Sequence, residues 1–295
     1  MMNCPICRSV KISKKNHIRY RNLSICRQCG VVFVYPQPHK KSIAQLYNSS
    51  YFKNDRSHLC GYENYGKDRK LIIKTAHRRL EFIEKNCQLR GKLLDIGCSM
   101  GFFLKVAEDR GWKVRGIDIS EDAITIAQED LMGKVRATTL EESSFPNNHF
   151  DLITLWDTLE HVPDPVQTIS QCYRILKPGG CLILTVPNIS SWPAKIMGTN
   201  WMGYKDEHLF YFTRRSLKIL LTQAGFEVKK IRYTGKYINL NMFTKRLSLY
   251  SVPIATIIQK LINLLRLNTH SIYINPLDIV MIISQKQIRT SNHLQ

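Results

Sequence analysis

Acidic residues are scarce in this sequence: 23 Asp and Glu residues stand against 43 Lys and Arg residues, and the 295-residue chain has a formal net charge of +20. Dense positive charge attracts polyanions over long distances, so it favours an anionic partner without identifying one. The basic residues are spread along the chain, from Lys11 through Arg78 and Arg79 to Lys229. This spread is typical of a solvated surface more than of a nucleic-acid groove.

Long uninterrupted apolar stretches are also missing, so we expect no membrane-spanning helix. Residues 1–5 lack the basic-then-apolar order of a secretory leader, which predicts a cytoplasmic protein with reduced thiols. The nine cysteines therefore indicate metal ligands and free thiols rather than disulfides. The chain length predicts one large α/β domain with a small additional domain.

Four of the cysteines form two C-x-x-C pairs near the N-terminus. Cys4 and Cys7 are separated from Cys26 and Cys29 by 18 residues, a spacing typical of a four-cysteine zinc site. Two residues between thiolates let one tight turn direct both sulfurs at a single ion, and Gly30 supplies the backbone freedom for that turn. Four thiolates leave no open coordination position, so we predict a structural zinc ribbon. A redox pair or unrelated thiols are the alternatives.

A glycine loop follows the first apolar strand of the main domain. Residues 92–101 read KLLDIGCSMG, with Asp95 near the strand end and Gly97 and Gly101 in the loop. A helix and a second strand ending at Asp118 follow, which is a βαβ unit and predicts a parallel sheet. The loop lacks the G-x-G-x-x-G spacing of a dinucleotide site, which disfavours NAD. Asp118 is placed to accept hydrogen bonds from ribose hydroxyls, and Asp95 suits an ammonium group.

Three further motifs follow in order: F-D-L-I at residues 150–153, L-E-H-V-P-D-P at residues 159–165, and L-K-P-G-G at residues 176–180. Asp164 and Pro165 predict the start of a helix, and residues 177–180 a turn before the next strand. With D-x-G-x-x-x-G, these motifs resemble class I S-adenosylmethionine-dependent methyltransferases related to ubiquinone-biosynthesis O-methyltransferases, over about residues 90–235. The ribbon and its P-Q-P sequel resemble the front of bacterial methyltransferases often associated with surface polysaccharide or secondary-metabolite pathways.

The resemblance implies an α/β fold, with a Rossmann-like seven-stranded sheet and a small N-terminal zinc ribbon. It implies S-adenosylmethionine as the cofactor. The residues expected beside that cofactor are Asp95, Gly97, Cys98, Gly101, Asp118, Ile119, Thr139, Leu140 and Trp156. The predicted domain bounds are 1–38 for the ribbon, 39–88 for a helical connector, 89–288 for the methyltransferase domain and 289–295 for a tail. Inside the connector we predict a short helix at residues 42–48 and a longer one at residues 68–86.

Three residues are candidates for the chemistry. His161 follows the fourth strand and is the candidate general base, with a structural turn histidine as the alternative. Asp157, with Glu160 and His161, resembles the cluster that ubiquinone O-methyltransferases use for a divalent cation such as Mg²⁺. His208 lies in an H-L-x-x-F-T element, which also resembles the family.

The acceptor side is less defined by sequence. Six aromatic residues between positions 187 and 213 predict a lid and acceptor wall, with a dimer contact or ordinary packing as the alternatives. The last two strands are predicted at residues 226–233 and 277–285, with an insertion at residues 236–275 that carries an apolar helical face. That face could pack on the core, form a homodimer seam or rest as a peripheral contact on a membrane surface.

We therefore expect methyl transfer to a small-molecule or glycan acceptor, at oxygen more than at carbon or nitrogen. The alternative is an RNA methyltransferase that uses the ribbon and the basic surface to bind its substrate. The sequence contains no recognised RNA-binding signature, so nucleic acid is the less favoured partner. A scaffold that only retains the cofactor fold is disfavoured by the intact loop and acidic residues.

Overall fold

A computed structural model of the chain describes residues 2–18, 21–38, 68–248, 251–268 and 270–288. The predicted helix at residues 42–48, the rest of the connector before residue 68 and the tail at residues 289–295 lie outside the described residues. Among the helices that are described, none is both long enough and apolar enough to cross a bilayer. The cytoplasmic location stays a prediction.

Eleven strands and eight α-helices are described. In chain order the strands are β1 (Ile12–Ile18), β2 (Arg21–Cys26), β3 (Val32–Val34), β4 (Lys92–Ile96), β5 (Lys113–Asp118), β6 (Val135–Ala137), β7 (Phe150–Trp156), β8 (Leu176–Pro187), β9 (Phe210–Tyr211), β10 (Phe226–Asn239) and β11 (Ser271–Lys286). The helices are α1 (Arg69–Cys87), α2 (Phe102–Asp109), α3 (Glu121–Leu131), α4 (Pro165–Ile175), α5 (Trp192–Met197), α6 (Arg214–Gln223), α7 (Leu240–Leu247) and α8 (Val252–Leu264).

The main sheet has seven strands in the order β10-β11-β8-β7-β4-β5-β6. The five strands from β8 to β6 are parallel, whereas β11 runs antiparallel to both β8 and β10. Adjacent positions such as Leu93 and Leu94 are both fully buried, because the sheet is covered on both faces. The predicted Rossmann-like α/β sheet of seven strands is confirmed.

Local sequence signals explain where the helices start. Asp164 accepts a hydrogen bond from the backbone N–H of Gln167 at 2.9 Å, and Pro165 occupies the first turn of α4. Ser120 caps α3 in the same way, by accepting from the N–H of Ala123. Both helices therefore begin at the loops that follow parallel strands, which directs the loops toward the same sheet edge.

Two strand predictions need correction. Residues 177–180 lie within β8 and not in a turn before it. They form an irregular stretch between Leu176 and Cys181, which pair with Phe150 and Leu152 of β7, and Gly179 adopts a φ of 78° there. The last two strands, β10 and β11, are both longer than predicted, and they pair as far as Asn239 and Ser271. Both ends of the insertion at residues 236–275 are therefore strand, and only its middle is helical.

A second, four-stranded sheet joins the N-terminal segment to the main domain. Its order is β1-β2-β3-β9, and β9 comes from the segment between β8 and α6. Val32 pairs with Tyr211 and Phe33 with Phe210. The cysteine-bearing segment is thus completed by a strand that lies about 180 residues later in the sequence.

Candidate active site

A pocket opens where the loops after β4 and β7 meet, at the carboxyl ends of the parallel strands. The end of β4 and the loop after it contribute five lining residues: Asp95, Gly97, Cys98, Ser99 and Met100. The segment at and after the end of β7 contributes Trp156, Asp157, Glu160 and His161. Ligands of doubly wound α/β sheets bind at this edge.

Gly97 makes the first turn of the pocket wall. Its φ is 76°, a backbone conformation that favours glycine, and a Cβ placed on it would lie 2.4 Å from Thr158 Oγ1. Its N–H donates to the carbonyl of Ile117 at 2.8 Å, which fixes the loop against β5. The loop after β4 therefore has no room for a side chain at this position.

The substitution Gly97→Ala is expected to weaken binding of S-adenosylhomocysteine, the demethylated product of the expected cofactor, at least about tenfold. It is also expected to destabilise the fold by about 1–3 kcal/mol, because Thr158 and the loop must shift. The matched control is Gly111→Ala, since Gly111 has a similar φ of 88° but nothing within 4 Å of an added Cβ. Calorimetric titration and thermal melting measure both effects. Equal losses in the two variants would show that backbone strain alone, and not contact with Thr158, decides the outcome.

Asp95 is the charged group at the bottom of the loop. It is 1% exposed and accepts a hydrogen bond from Thr154 Oγ1 at 2.6 Å. Burial raises the pKa of Asp95 to about 7. An ammonium group brought next to this carboxylate would replace the water it has lost, which fits its predicted role.

Below about pH 7, the affinity for S-adenosylhomocysteine is expected to fall with each further pH unit, by a factor that approaches about ten. Because the pKa of Asp95 is raised to about 7, the carboxyl holds its proton below that value, and a cationic amine must displace it. Asp95→Asn is expected to bind more weakly and to lose this acid dependence. The exposed Asp109→Asn variant is the control, and calorimetry between about pH 5.5 and 7.5 is the measurement. A wild-type affinity that is flat across this range would contradict the assignment.

Asp118 lies beside the loop. One carboxylate oxygen accepts from the N–H of Ser99 at 2.8 Å, and the other accepts from the N–H of Ser120 at 2.9 Å. Burial raises the pKa of Asp118. Each oxygen keeps a further lone pair, so the predicted contact with ribose hydroxyls is chemically available.

Five predicted cofactor residues, Asp118 among them, do not line the pocket in the described part of the chain. Gly101 directly precedes α2, and a Cβ on it would lie 2.6 Å from Leu131. The absence of a side chain at this position therefore allows close packing against α3. Ile119 is 47% exposed, whereas Leu140 is buried. Thr139 exchanges hydrogen bonds with Glu142. The adenine contact predicted for Thr139 and Leu140 stays a prediction.

Glu160, His161 and His208 lie together on another side of the pocket. One possible ligand atom from each lies within 4.8 Å of the others. The imidazole rings of His161 and His208 meet edge to face, with centroids 4.7 Å apart. Glu160 is 1% exposed, and neither of its carboxylate oxygens has a hydrogen-bond partner among the described residues. Burial raises the pKa of Glu160 well above its usual value and lowers that of His161 to about 3.

Asp157 does not join this cluster, although the sequence grouped it with Glu160 and His161. One of its oxygens accepts from Thr185 Oγ1 at 2.8 Å, and the other lies 3.7 Å from the guanidinium of Arg79. Asp157 also has a φ of 52°, a backbone conformation that is uncommon for residues other than glycine. The third member of the cluster is His208, which the sequence had placed on a separate element.

The four-stranded sheet explains how His208 reaches Glu160. The N–H groups of Leu209 and Phe210 donate to the backbone carbonyl of Glu160 at 2.8 and 3.1 Å. The N–H of Val34 in β3 donates to the carbonyl of Leu209 at 3.0 Å. The backbone just after His208 is therefore held on one side by β3 of the N-terminal segment. On the other side it is held by the loop after β7.

The four N-terminal cysteines face one another. The sulfurs of Cys4 and Cys29 are 3.7 Å apart, and those of Cys7 and Cys26 are 3.5 Å apart. A tetrahedral zinc ion with bonds of about 2.3 Å to four thiolates separates its sulfurs by about 3.8 Å. A hydrogen bond from Cys29 lowers the pKa of Cys4 to about 5. The donor set and its spacing fit zinc, although the ion itself stays a prediction.

Sequence reasoning missed Arg79 and misjudged the aromatic segment. Arg79 lies on α1, with its guanidinium 4.4 Å from the Trp156 ring centroid, and lines the pocket although it was counted among the surface charges. Of the six aromatics predicted as a lid, none lines the pocket among the described residues. Trp201, like most of them, is fully buried, and its indole donates to Asp278 at 2.9 Å. Ordinary packing, the alternative, describes them better.

A doubly wound sheet, a glycine loop that closes over its edge and a buried acid beneath that loop define a class I S-adenosylmethionine-dependent methyltransferase. A family profile described as a methyltransferase domain matches residues 65–231. The chain belongs to this family, which confirms the resemblance drawn from the motifs.

Curated relatives agree. The ubiquinone biosynthesis O-methyltransferase of Nitrosospira multiformis is 33% identical over 168 residues, which cover 52% of this chain and 70% of the relative. The protein of the same name from Aromatoleum aromaticum is 36% identical over 168 residues, covering 52% and 71%.

Solved structures share the fold. A methyltransferase from Thermotoga maritima, described as a possible histamine N-methyltransferase, superposes with a TM-score of 0.52 at 21% identity, covering 83% of this chain and all of its own. The [4+2]-cyclase SpnF gives 0.53 at 18% identity, covering 86% and 98%. Because one of these two proteins is described as a cyclase, the fold alone does not specify the acceptor.

Proposed function

We propose that this methyltransferase methylates a hydroxyl oxygen of a small-molecule or glycan acceptor. The observation that carries the proposal is the opening of Glu160, His161 and His208 into the same pocket as the loop after β4. A neutral hydroxyl must lose its proton as it accepts a methyl group, and this cluster supplies groups that accept protons. The curated relatives are named O-methyltransferases, which supports oxygen as the acceptor atom.

The chain's part in the reaction is to position the reactants and accept a proton. S-adenosylmethionine, when bound, supplies an activated methyl group on a sulfonium. Asp95 would hold its ammonium group and Asp118 its ribose, which aims the methyl group along the pocket. In its ionised form Glu160 is the stronger proton acceptor of the two, because burial raises the pKa of Glu160 well above its usual value and lowers that of His161 to about 3. His161, first predicted as the base, would then orient the acceptor hydroxyl.

A divalent cation is a second element of the proposal. Glu160, His161 and His208 would hold it, and the two unpartnered carboxylate oxygens of Glu160 fit a ligand role. Such an ion would polarise the acceptor oxygen and favour its deprotonation. Two imidazoles and one carboxylate suit Mn²⁺ or Zn²⁺ better than the Mg²⁺ implied by the family resemblance.

The structural zinc at the four cysteines and the pathway context also belong to the proposal. The zinc is supported by the clustering of Cys4, Cys7, Cys26 and Cys29. Surface polysaccharide or secondary-metabolite synthesis is supported by the sequence resemblance of the ribbon to such methyltransferases.

An acceptor panel with deuterated-methyl S-adenosylmethionine tests the acceptor class. The panel contains sugar nucleotides, lipid-linked glycans, catechols and short RNAs, each beside an analogue with the hydroxyl already methylated. Mass spectrometry is expected to find label on a hydroxyl oxygen in one of the first three groups and none in the blocked analogue. Transfer to RNA alone, with binding that falls steeply as salt rises, would instead support the alternative function.

A further inference from the structure

The insertion forms an arm that projects from the main sheet. β10 and β11 remain paired beyond their contact with β8, from Lys236 opposite Ile274 to Asn239 opposite Ser271. The helices α7 and α8 are attached at the end of this two-stranded extension. We call residues 236–275 the arm.

The outer helix of the arm exposes its apolar side chains. Within α8 only Ala255 and Ile262 are buried. The large apolar residues that remain more than half exposed on α8 and at its end are Val252, Ile254, Ile257, Leu261, Leu264 and Leu265. Six such side chains in 14 consecutive residues make a contiguous surface of the kind that marks an interaction site. Packing on the core, one of the roles considered for this segment, does not account for them.

The charge of the arm has one sign. Residues 236–275 contain no Asp and no Glu. They contain five Lys and Arg residues: Lys236, Lys245, Arg246, Lys260 and Arg266. An apolar helix in a purely basic setting is the pattern of segments that lie in the interface of an anionic bilayer.

The arm also borders the pocket. Lys236 of β10 and Arg246 of α7 are among the lining residues, together with Pro276 and Asp278 on β11. A surface that binds the arm therefore lies close to the pocket rim.

We propose that the arm attaches this methyltransferase to the surface of an anionic lipid bilayer, with α8 lying in the plane of the interface. The exposed aliphatic residues enter the headgroup and acyl boundary, while Lys260 and Arg266 meet lipid phosphates. The attachment is peripheral because α8 spans 13 residues, far fewer than the roughly 20 needed to cross the hydrocarbon core. It brings the pocket rim next to the headgroups.

A second copy of the chain fits this surface less well. Two arms that meet along α8 would bring Lys260 and Arg266 of one copy toward those of the other, with no acidic residue in either arm to offset them. Anionic lipid supplies the missing charge.

Vesicle sedimentation tests the proposal. The full chain is expected to bind vesicles of phosphatidylcholine with about one third phosphatidylglycerol at least about tenfold more tightly than phosphatidylcholine alone, and to lose most of that difference in high salt. The combined variant Ile257→Ser, Leu261→Ser and Leu264→Ser is expected to bind at least about tenfold more weakly. The matched control carries three serines at exposed apolar positions outside the arm: Val10, Ile126 and Met132.

Two further measurements keep the result interpretable. Unchanged affinity for S-adenosylhomocysteine shows that the arm variant is folded. The variant Ile257→Trp in the otherwise unchanged chain is expected to show a blue-shifted indole emission with anionic vesicles. Equal loss in the arm variant and its control, or no emission shift, overturns the proposal. A dimer that the arm variant converts to a monomer, without vesicle binding by the original chain, makes a second copy the occupant.

Discussion

Replacing Glu160 by Gln is expected to lower kcat for methyl transfer by about 10²- to 10⁴-fold. The amide has nearly the same shape, so the pocket is kept, but it accepts no proton from the acceptor hydroxyl. Because Asp95 and the loop after β4 are untouched, the affinity for S-adenosylhomocysteine is expected to change by less than about twofold.

The control for this substitution is His149→Gln. His149 precedes the amino end of β7, at the opposite edge of the sheet from the pocket. Full activity in the Glu160→Gln variant would show that this carboxylate takes no part in the reaction. An equal loss in the control would point to a general effect on stability.

Mn²⁺ separates the two roles proposed for the cluster. If Glu160, His161 and His208 hold a divalent cation, the electron paramagnetic resonance signal of free Mn²⁺ falls on addition of protein that carries no more than one zinc ion per chain, and His208→Gln removes that effect. If the signal is unchanged while Glu160→Gln is inactive, the carboxylate acts as a base without a metal.

Replacing Cys26 and Cys29 together by serine is expected to disorganise the active site from a distance. The N-terminal segment is expected to lose a folding free energy on the order of several kcal/mol when the proposed zinc cannot bind. β3 then no longer supports β9, and the contact of Leu209 and Phe210 with the carbonyl of Glu160 loosens. We expect methyl transfer to be lost while binding of S-adenosylhomocysteine is largely retained, because the loop after β4 lies outside that sheet.

Hydrogen exchange gives the readout that activity does not. The N–H groups of Leu209 and Phe210 are expected to exchange at least about tenfold faster in the double serine variant. Cys87→Ser is the control, because Cys87 lies on α1, away from the four clustered thiols. Unchanged exchange at these two amides would show that the second sheet stands without its metal.

Much of the fold follows from local signals. The glycine loop after β4, the Asp164 cap and the paired cysteines each depend on residues within a few positions of one another, and the sheet follows from the alternation of strands and helices. These features could be predicted from the sequence.

The rest depends on contacts between distant segments. His208 reaches Glu160 only because β9 pairs with β3, and nothing in the local sequence of Phe210 and Tyr211 specifies that partner. Arg79 enters the pocket from a helix whose basic residues read as surface charge. The turn expected at residues 177–180 becomes an irregular stretch inside β8, because Leu176 before it and Cys181 after it both pair with β7.

The late arrival of β9 sets an order of events during synthesis. When residues 1–38 have been synthesised, β3 has an open edge, because its partner at Phe210–Tyr211 is still some 170 residues from being translated. An open edge can pair with other nascent chains. Metal uptake by the first cysteines would have to keep this small sheet in shape until its last strand is made.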